Sequence, residues 1–175
     1  MEYRIVYSTR KTVSIQLKSG DIIVRAPRGL AESEIEKIVD KHSEWIKKAL
    51  ARQTQREAGY EALSESDIKA LRKAARAYFN EKCPIFAEKM GLEYKRIGIT
   101  SARTRFGSCS SKKNINFSFY LMLYPEEARE YVIVHELAHL REMNHSPRFY
   151  AIVEQYLPDY RARRKLLKSG GVGVD

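Results

Sequence analysis

Three of the chain's four histidines, His135, His139 and His145, fall within eleven residues. They lie in the stretch His135-Glu136-Leu137-Ala138-His139-Leu140-Arg141-Glu142-Met143-Asn144-His145. On a helix a spacing of four residues turns about 400°, so His135 and His139 leave one face, a turn apart. Two imidazole nitrogens presented this way suit one zinc ion. Glu136 lies about 100° further round, where a carboxylate reaches a metal-activated water without displacing a ligand; that is the place of a general base. A catalytic zinc takes a third protein ligand and keeps a fourth position for water. His145 is the expected third ligand, provided the helix ends first, because six further helical residues would point it about 240° away. The helix is expected to run to Glu142 or Met143. Asn144 tolerates the left-handed backbone that closes helices, and Ser146-Pro147 reads as the cap and first residue of the next one.

Other readings of these residues are weaker. A helix with two surface histidines can be inert, but Tyr131-Val132-Ile133-Val134 leads in with apolar residues that mark a buried helix. A metzincin has a glycine where Glu142 stands and a later methionine turn, and no methionine follows Met143. A glutamate as third ligand would be Glu154, which ranks below His145. His42 stands alone on an apolar helix face and reads as structural. Gly107-Ser108-Cys109 lacks the Gly-x-Ser-x-Gly spacing of a nucleophile elbow and reads as a bend before a strand, with Cys109 a small buried residue. Arg105 is a candidate to hold a carboxylate or face the cleft. Tyr120 and Tyr150, with Tyr156 and Tyr160 behind them, are candidates for contacts to substrate or to a developing oxyanion.

His135-Glu136-Leu137-Ala138-His139-Leu140, Asn144-His145-Ser146 and Phe149 together resemble the YgjP-like metallopeptidase family, relatives of the SprT and WLM zinc proteases. Upstream, Arg105-Phe106-Gly107-Ser108-Cys109-Ser110 is similar to that family's Arg-Trp-Gly-Ser-Cys-Ser, with Phe106 in place of tryptophan. Ala26-Pro27-Arg28-Gly29 and Trp45-Ile46 also sit where the family has them, so the likeness spans nearly the whole chain. The resemblance implies a zincin-like catalytic core, Zn²⁺ on His135, His139 and His145, and Glu136 as catalytic base. Phe106 keeps an aromatic plate but lacks the indole N–H.

The elements that must position these residues follow from periodicity. Val13, Ile15 and Leu17, then Ile22, Val24 and Ala26, alternate on either side of Ser19-Gly20-Asp21, which predicts a β-hairpin. Ser33-Glu34-Ile35-Glu36 reads as a capping box opening a helix that fades near Gln53. Residues 54–63 read as a linker. A second helix is capped by Ser66, interrupted at Pro84 and ended by Gly91. Residues 94–123 read as β, with a strand from Asn114 to Leu123 edging the cleft and able to pair with an extended substrate. Pro125 starts the metal-site helix, and a basic helix ends near Lys168.

The whole chain has 175 residues with 43% hydrophobic and 31% charged, which excludes disordered and collagenous classes. The longest apolar run, Phe119–Tyr124, is far below the roughly 18 residues of a membrane helix. Met1-Glu2-Tyr3-Arg4 leads straight into alternation, with no apolar signal segment. Two cysteines make no disulfide framework, and a cytoplasmic location is expected. Lysine and arginine number 32 against 22 acids, a net charge of +10 that suits a polyanion. Basic residues gather at Arg10 and Lys11, at Lys112 and Lys113, and from Arg161 to Lys168. The combined expectation is an α+β protein with an N-terminal β-hairpin and helix extension (1–55), a zincin-like core of antiparallel sheet and active-site helix (64–168) and a flexible tail (169–175). Its expected activity is zinc-dependent peptide hydrolysis on peptide or protein substrates. The alternatives are a nucleoside triphosphate pyrophosphatase using the same zinc, and a DNA-associated protein with a structural zinc. No membrane partner is expected.

Overall fold

A computed structural model describes residues 1–18 and 20–167. The expected tail, 169–175, lies outside the described residues. The chain is α+β and divides into two compact units, Met1–Glu57 and Ala58–Asp175. Among the described residues no helix is long and apolar enough to cross a membrane.

In the first unit β1 (Arg4–Ser8), β2 (Ser14–Lys18) and β3 (Asp21–Pro27) form a sheet of order β1-β3-β2. The expected hairpin is the antiparallel β2–β3 pair, and β1 adds in parallel on the other side of β3. Helix α1 (Glu32–Lys41) starts one residue before Ser33, so that serine lies inside the first turn and the expected capping box does not form. Val24, Ala26, Ile35, Val39 and Ile46 make this unit's core. His42 closes α1, and its Nδ1–H donates to the Ile38 carbonyl at 2.8 Å. Helix α2 (Ser43–Glu61) then runs through the stretch that reads as a linker. Its polar residues support one another along the helix, as where Gln53 donates to Glu57 four residues on.

In the second unit α3 (Glu65–Met90) is capped by Ser64 rather than Ser66, with a reciprocal box to Asp67. Pro84 does not interrupt it. Ala75, Phe79, Cys83, Ala87 and Met90 form a continuous buried stripe whose packing outweighs the lost backbone bond. Gly91 ends the helix in the left-handed conformation at φ 59°.

The second sheet contains β4 (Arg96–Thr100), β5 (Gly107–Cys109) and β6 (Asn114–Ser118) in the order β4-β6-β5. It is mixed rather than wholly antiparallel, because β4 and β6 run parallel. The connection from Thr100 to Asn114 is long enough to cross over and to lay β5 antiparallel against β6 on the way. The expected strand to Leu123 stops at Ser118, and Phe119–Leu123 is a 3-10 turn. Phe119, Tyr120 and Leu121 are all buried, so Tyr120 has no solvent face to alternate toward, and the Ser118 hydroxyl accepts the Tyr120 N–H to start the turn. Central β6 has no free edge. Helices α4 (Glu126–Ala138), α5 (Pro147–Tyr156) and α6 (Tyr160–Leu166) complete the unit. Its core stacks Phe79 on Phe117 at 4.2 Å.

Candidate metal centre

Helix α4 buries Val132, Ile133, Val134, Leu137 and Ala138 almost completely, so it carries its histidines into the fold. It ends sooner than its sequence suggests. Ala138 is its last residue, His139 is the cap, and the chain tapers through 3.0 Å bonds from Leu140 N–H to the Leu137 carbonyl and from Arg141 N–H to the Ala138 carbonyl. Asn144 does not adopt the left-handed backbone; among described non-glycine residues only Lys113 does. Instead Asn144 turns the chain with its side chain, accepting the Ser146 N–H at 2.9 Å. Ser146 caps α5 through the Phe149 N–H, with Pro147 first in the helix.

This turn brings His145 back to the other two histidines. One ligand atom from each of His135, His139 and His145 lies within 4.8 Å of the others, and the Nε2 atoms of His135 and His145 are 3.0 Å apart. The far nitrogens of the first two rings are occupied. Tyr131 Oη lies 3.3 Å from His135 Nδ1, and His139 Nδ1–H donates to the Glu142 carbonyl at 3.1 Å. Such partners orient the opposite nitrogen toward a metal. The Phe149 ring packs against all three imidazoles, with centroids 4.5–4.9 Å away. Burial, then the neighbouring imidazoles and Arg164, push the His135 pKa down to about 3. Burial also lowers that of His139. Neutral rings with free lone pairs are the form a metal binds, and the donor set fits a zinc-type ion.

Glu136 is 5% exposed, and among the described residues no group donates a hydrogen bond to its carboxylate. Burial raises its pKa to about 8, while the charge of Arg105 opposes that rise. Against it lies Gly107 of β5, where a Cβ would stand 2.5 Å from Glu136 Oε1 and 2.7 Å from its Cγ. The bend expected at Gly107-Ser108-Cys109 is therefore a short strand pressed on the glutamate.

Of the other expected site residues, Arg105 acts on Glu136, and Tyr150 stacks 6.2 Å from the His145 ring. Tyr120 is a core residue. Its ring stacks on Tyr60 at 4.1 Å, and its hydroxyl accepts from Arg103. Glu154 bonds Arg161 at 3.0 Å and lies outside the histidine group. The Cys109 thiol is held above its usual pKa by burial and by Glu136, the opposite of an activated nucleophile. Sequence reasoning missed Tyr131, Gly107 and Arg164. Tyr131 was findable, since it precedes His135 by one helical turn. The close approach at Gly107 and the placement of Arg164 depend on tertiary packing.

Crystal structures of two metallopeptidase zymogens share part of the chain's course. Jannalysin of Methanocaldococcus jannaschii is 23% identical, with a TM-score of 0.45 over 51% of this chain and 91% of that one. Abylysin of Pyrococcus abyssi is 22% identical, with a TM-score of 0.44 over 52% of this chain and 97% of that one. No curated protein matches the chain. The model of the YgjP-like metallopeptidase domain matches residues 11–69 and 58–170, a span that takes in the histidine cluster, Glu136 and Gly107. By that match the chain belongs to the YgjP-like metallopeptidase family.

Proposed function

We propose that the chain is a zinc peptidase in which His135, His139 and His145 hold the metal and Glu136 is the general base. The convergence of three imidazoles beside a buried carboxylate with no hydrogen-bond donor among the described residues carries this reading. Zinc held by the three histidines would supply Lewis acidity at this place. Tyr131 and the Glu142 carbonyl keep the donor nitrogens of His135 and His139 turned inward. Glu136 accepts the proton of the attacking water and returns it to the leaving amine. Arg105 offsets part of the carboxylate's burial cost, which keeps it available as a base. Tyr150 remains a candidate for the oxyanion, whereas the Tyr120 hydroxyl is engaged elsewhere. An extended peptide would pair with the free edge of β5, which packs on α4, and not with central β6.

Three protein donors with His145 exposed favour a catalytic over a structural zinc, since structural sites close with four. The nucleotide reading rests on net charge alone. The test is metal content and peptide hydrolysis in two variants. Glu136→Gln keeps zinc and loses about 10²–10⁴-fold in turnover. His145→Ala loses zinc affinity, and full occupancy in that variant would show that another residue is the third ligand.

A further inference from the structure

Arginines outnumber their partners around the centre in an ordered way. On α6, Arg161 bonds Glu154, and Arg163 bonds both Glu130 at 2.6 Å and Asp159 at 2.8 Å. Arg164, between them and Lys165, has no carboxylate partner among the described residues. Its guanidinium carbon instead lies 5.9 Å from the Tyr150 ring, which itself stacks beside His145. Helix α6 packs against α4, and the charge of Arg164 is felt at both His135 and Tyr131. The loop before β5 repeats the arrangement. Arg103 pairs with Glu61, whereas Arg105, two residues before the glycine that touches Glu136, is exposed and has no ion pair among the described residues. Among the described residues each segment thus pairs its other arginines with acids and leaves one arginine beside the centre without an ion pair. A cation near a metal opposes metal binding; Glu136 offsets Arg105 only in part, and among the described residues no acid neutralises Arg164. An incoming negative charge would.

We propose that Arg105 and Arg164 are specificity-determining residues that select peptides carrying aspartate or glutamate close to the scissile bond. A guanidinium offers a planar fork of donors that matches a carboxylate, and its charge is always present. The two arginines come from different segments, so they can act on different side chains of one substrate. This inference rests on the peptidase reading and adds a substrate class to it.

The test gives the zinc-loaded protein three peptides of one scaffold, with Glu, Gln or Lys at the positions flanking the scissile bond. The expected order of kcat/KM is Glu, then Gln, then Lys, with about tenfold between Glu and Gln, the scale of one charge-assisted hydrogen bond. Arg105→Gln and Arg164→Gln each shrink the Glu/Gln ratio, and Arg164→Glu moves the preference toward Lys. Both arginines are exposed, and the ratio is internal to each variant, so a change in overall rate does not disturb it. Arg76→Gln is the control. It removes the same charge from α3, where Arg76 lines a separate groove of about 470 Å³ with Arg72, Lys73 and Asn80, and it should leave the ratio alone. Equal rates on the Glu and Gln peptides overturn the inference while leaving the peptidase reading intact. So does a ratio that falls equally in Arg76→Gln, since that is steering by net charge. Failure to cleave any of the three peptides overturns the peptidase reading itself, and the inference with it.

Discussion

Replacing Gly107 by alanine should injure catalysis out of proportion to the size of the change. A methyl group there would stand 2.5 Å from Glu136 Oε1, 2.7 Å from Cγ and 2.8 Å from Cδ. Ordinary contact begins near 3.4 Å, so the two groups must separate by about 0.9 Å. The carboxylate oxygen alone cannot absorb this by rotating, because Cγ is as crowded as the head group. The whole side chain or β5 must move. Elsewhere in a strand, glycine to alanine gains about 0.5–1 kcal/mol; here the overpacking should cost about 1–3 kcal/mol instead. A 1 Å misplacement of a reacting group is worth about 10²-fold in rate, so kcat on a neutral peptide should fall by that order while zinc content holds. The assay compares kcat/KM, bound metal and Tm of Gly107→Ala with the parent. Parent-like kcat with an unchanged Tm would show that Glu136 has room to spare and that the glycine is not there for it.

Tyr131→Phe removes the partner of His135 Nδ1 and should weaken zinc affinity about 10–100-fold, measured by competition with a chelator, with the fold intact. Stripping the metal should leave a cooperatively folded domain with a lower Tm; loss of near-UV dichroism on chelation would refute this. In that metal-free protein Glu136 has a folded pKa of about 8 against 4.5 unfolded, so the folded state holds the extra proton between those values and loses stability as pH rises through them. The Glu136→Gln variant escapes this loss, and its Tm should gain on the parent's between pH 5 and 8, at no more than about 1.4 kcal/mol per pH unit; parallel curves would mean the carboxyl is not buried.

The histidine cluster was legible because it is local. Helical spacing placed His135 and His139 together, and Ser146-Pro147 signalled the restart that frees His145. The means of turning was misjudged: side-chain capping by Asn144 does the work expected of a left-handed residue. What failed elsewhere was decided by tertiary packing. Polar residues 54–61 continue as helix, Pro84 is carried by a buried stripe, and Phe119–Leu123 coils because its residues are wanted inside on every side. The parallel pairing of β4 with β6 has no signature in either strand, since both would alternate identically in an antiparallel pair.

The centre's shape is held by contacts that need no metal. Phe149 is fully buried and touches all three imidazoles, Ser146 fixes the start of the helix that carries it, and Tyr131 and the Glu142 carbonyl orient two of the rings. Arg141, between the second and third histidines, anchors the turn by donating to the Met90 carbonyl at the end of α3 at 2.6 Å. On the proposed function, the hydrophobic core and its backbone bonds would order the three histidines before an ion binds. That would separate this chain from small zinc domains that fold only around their metal, as the chelation experiment tests. It also accounts for the chemistry left unsatisfied in the fold. Buried imidazoles held neutral and a buried carboxylate without a protein donor are costly to a resting protein, whereas the two exposed arginines stay hydrated; a stable core can carry the buried groups at the place the proposed function assigns to metal and substrate.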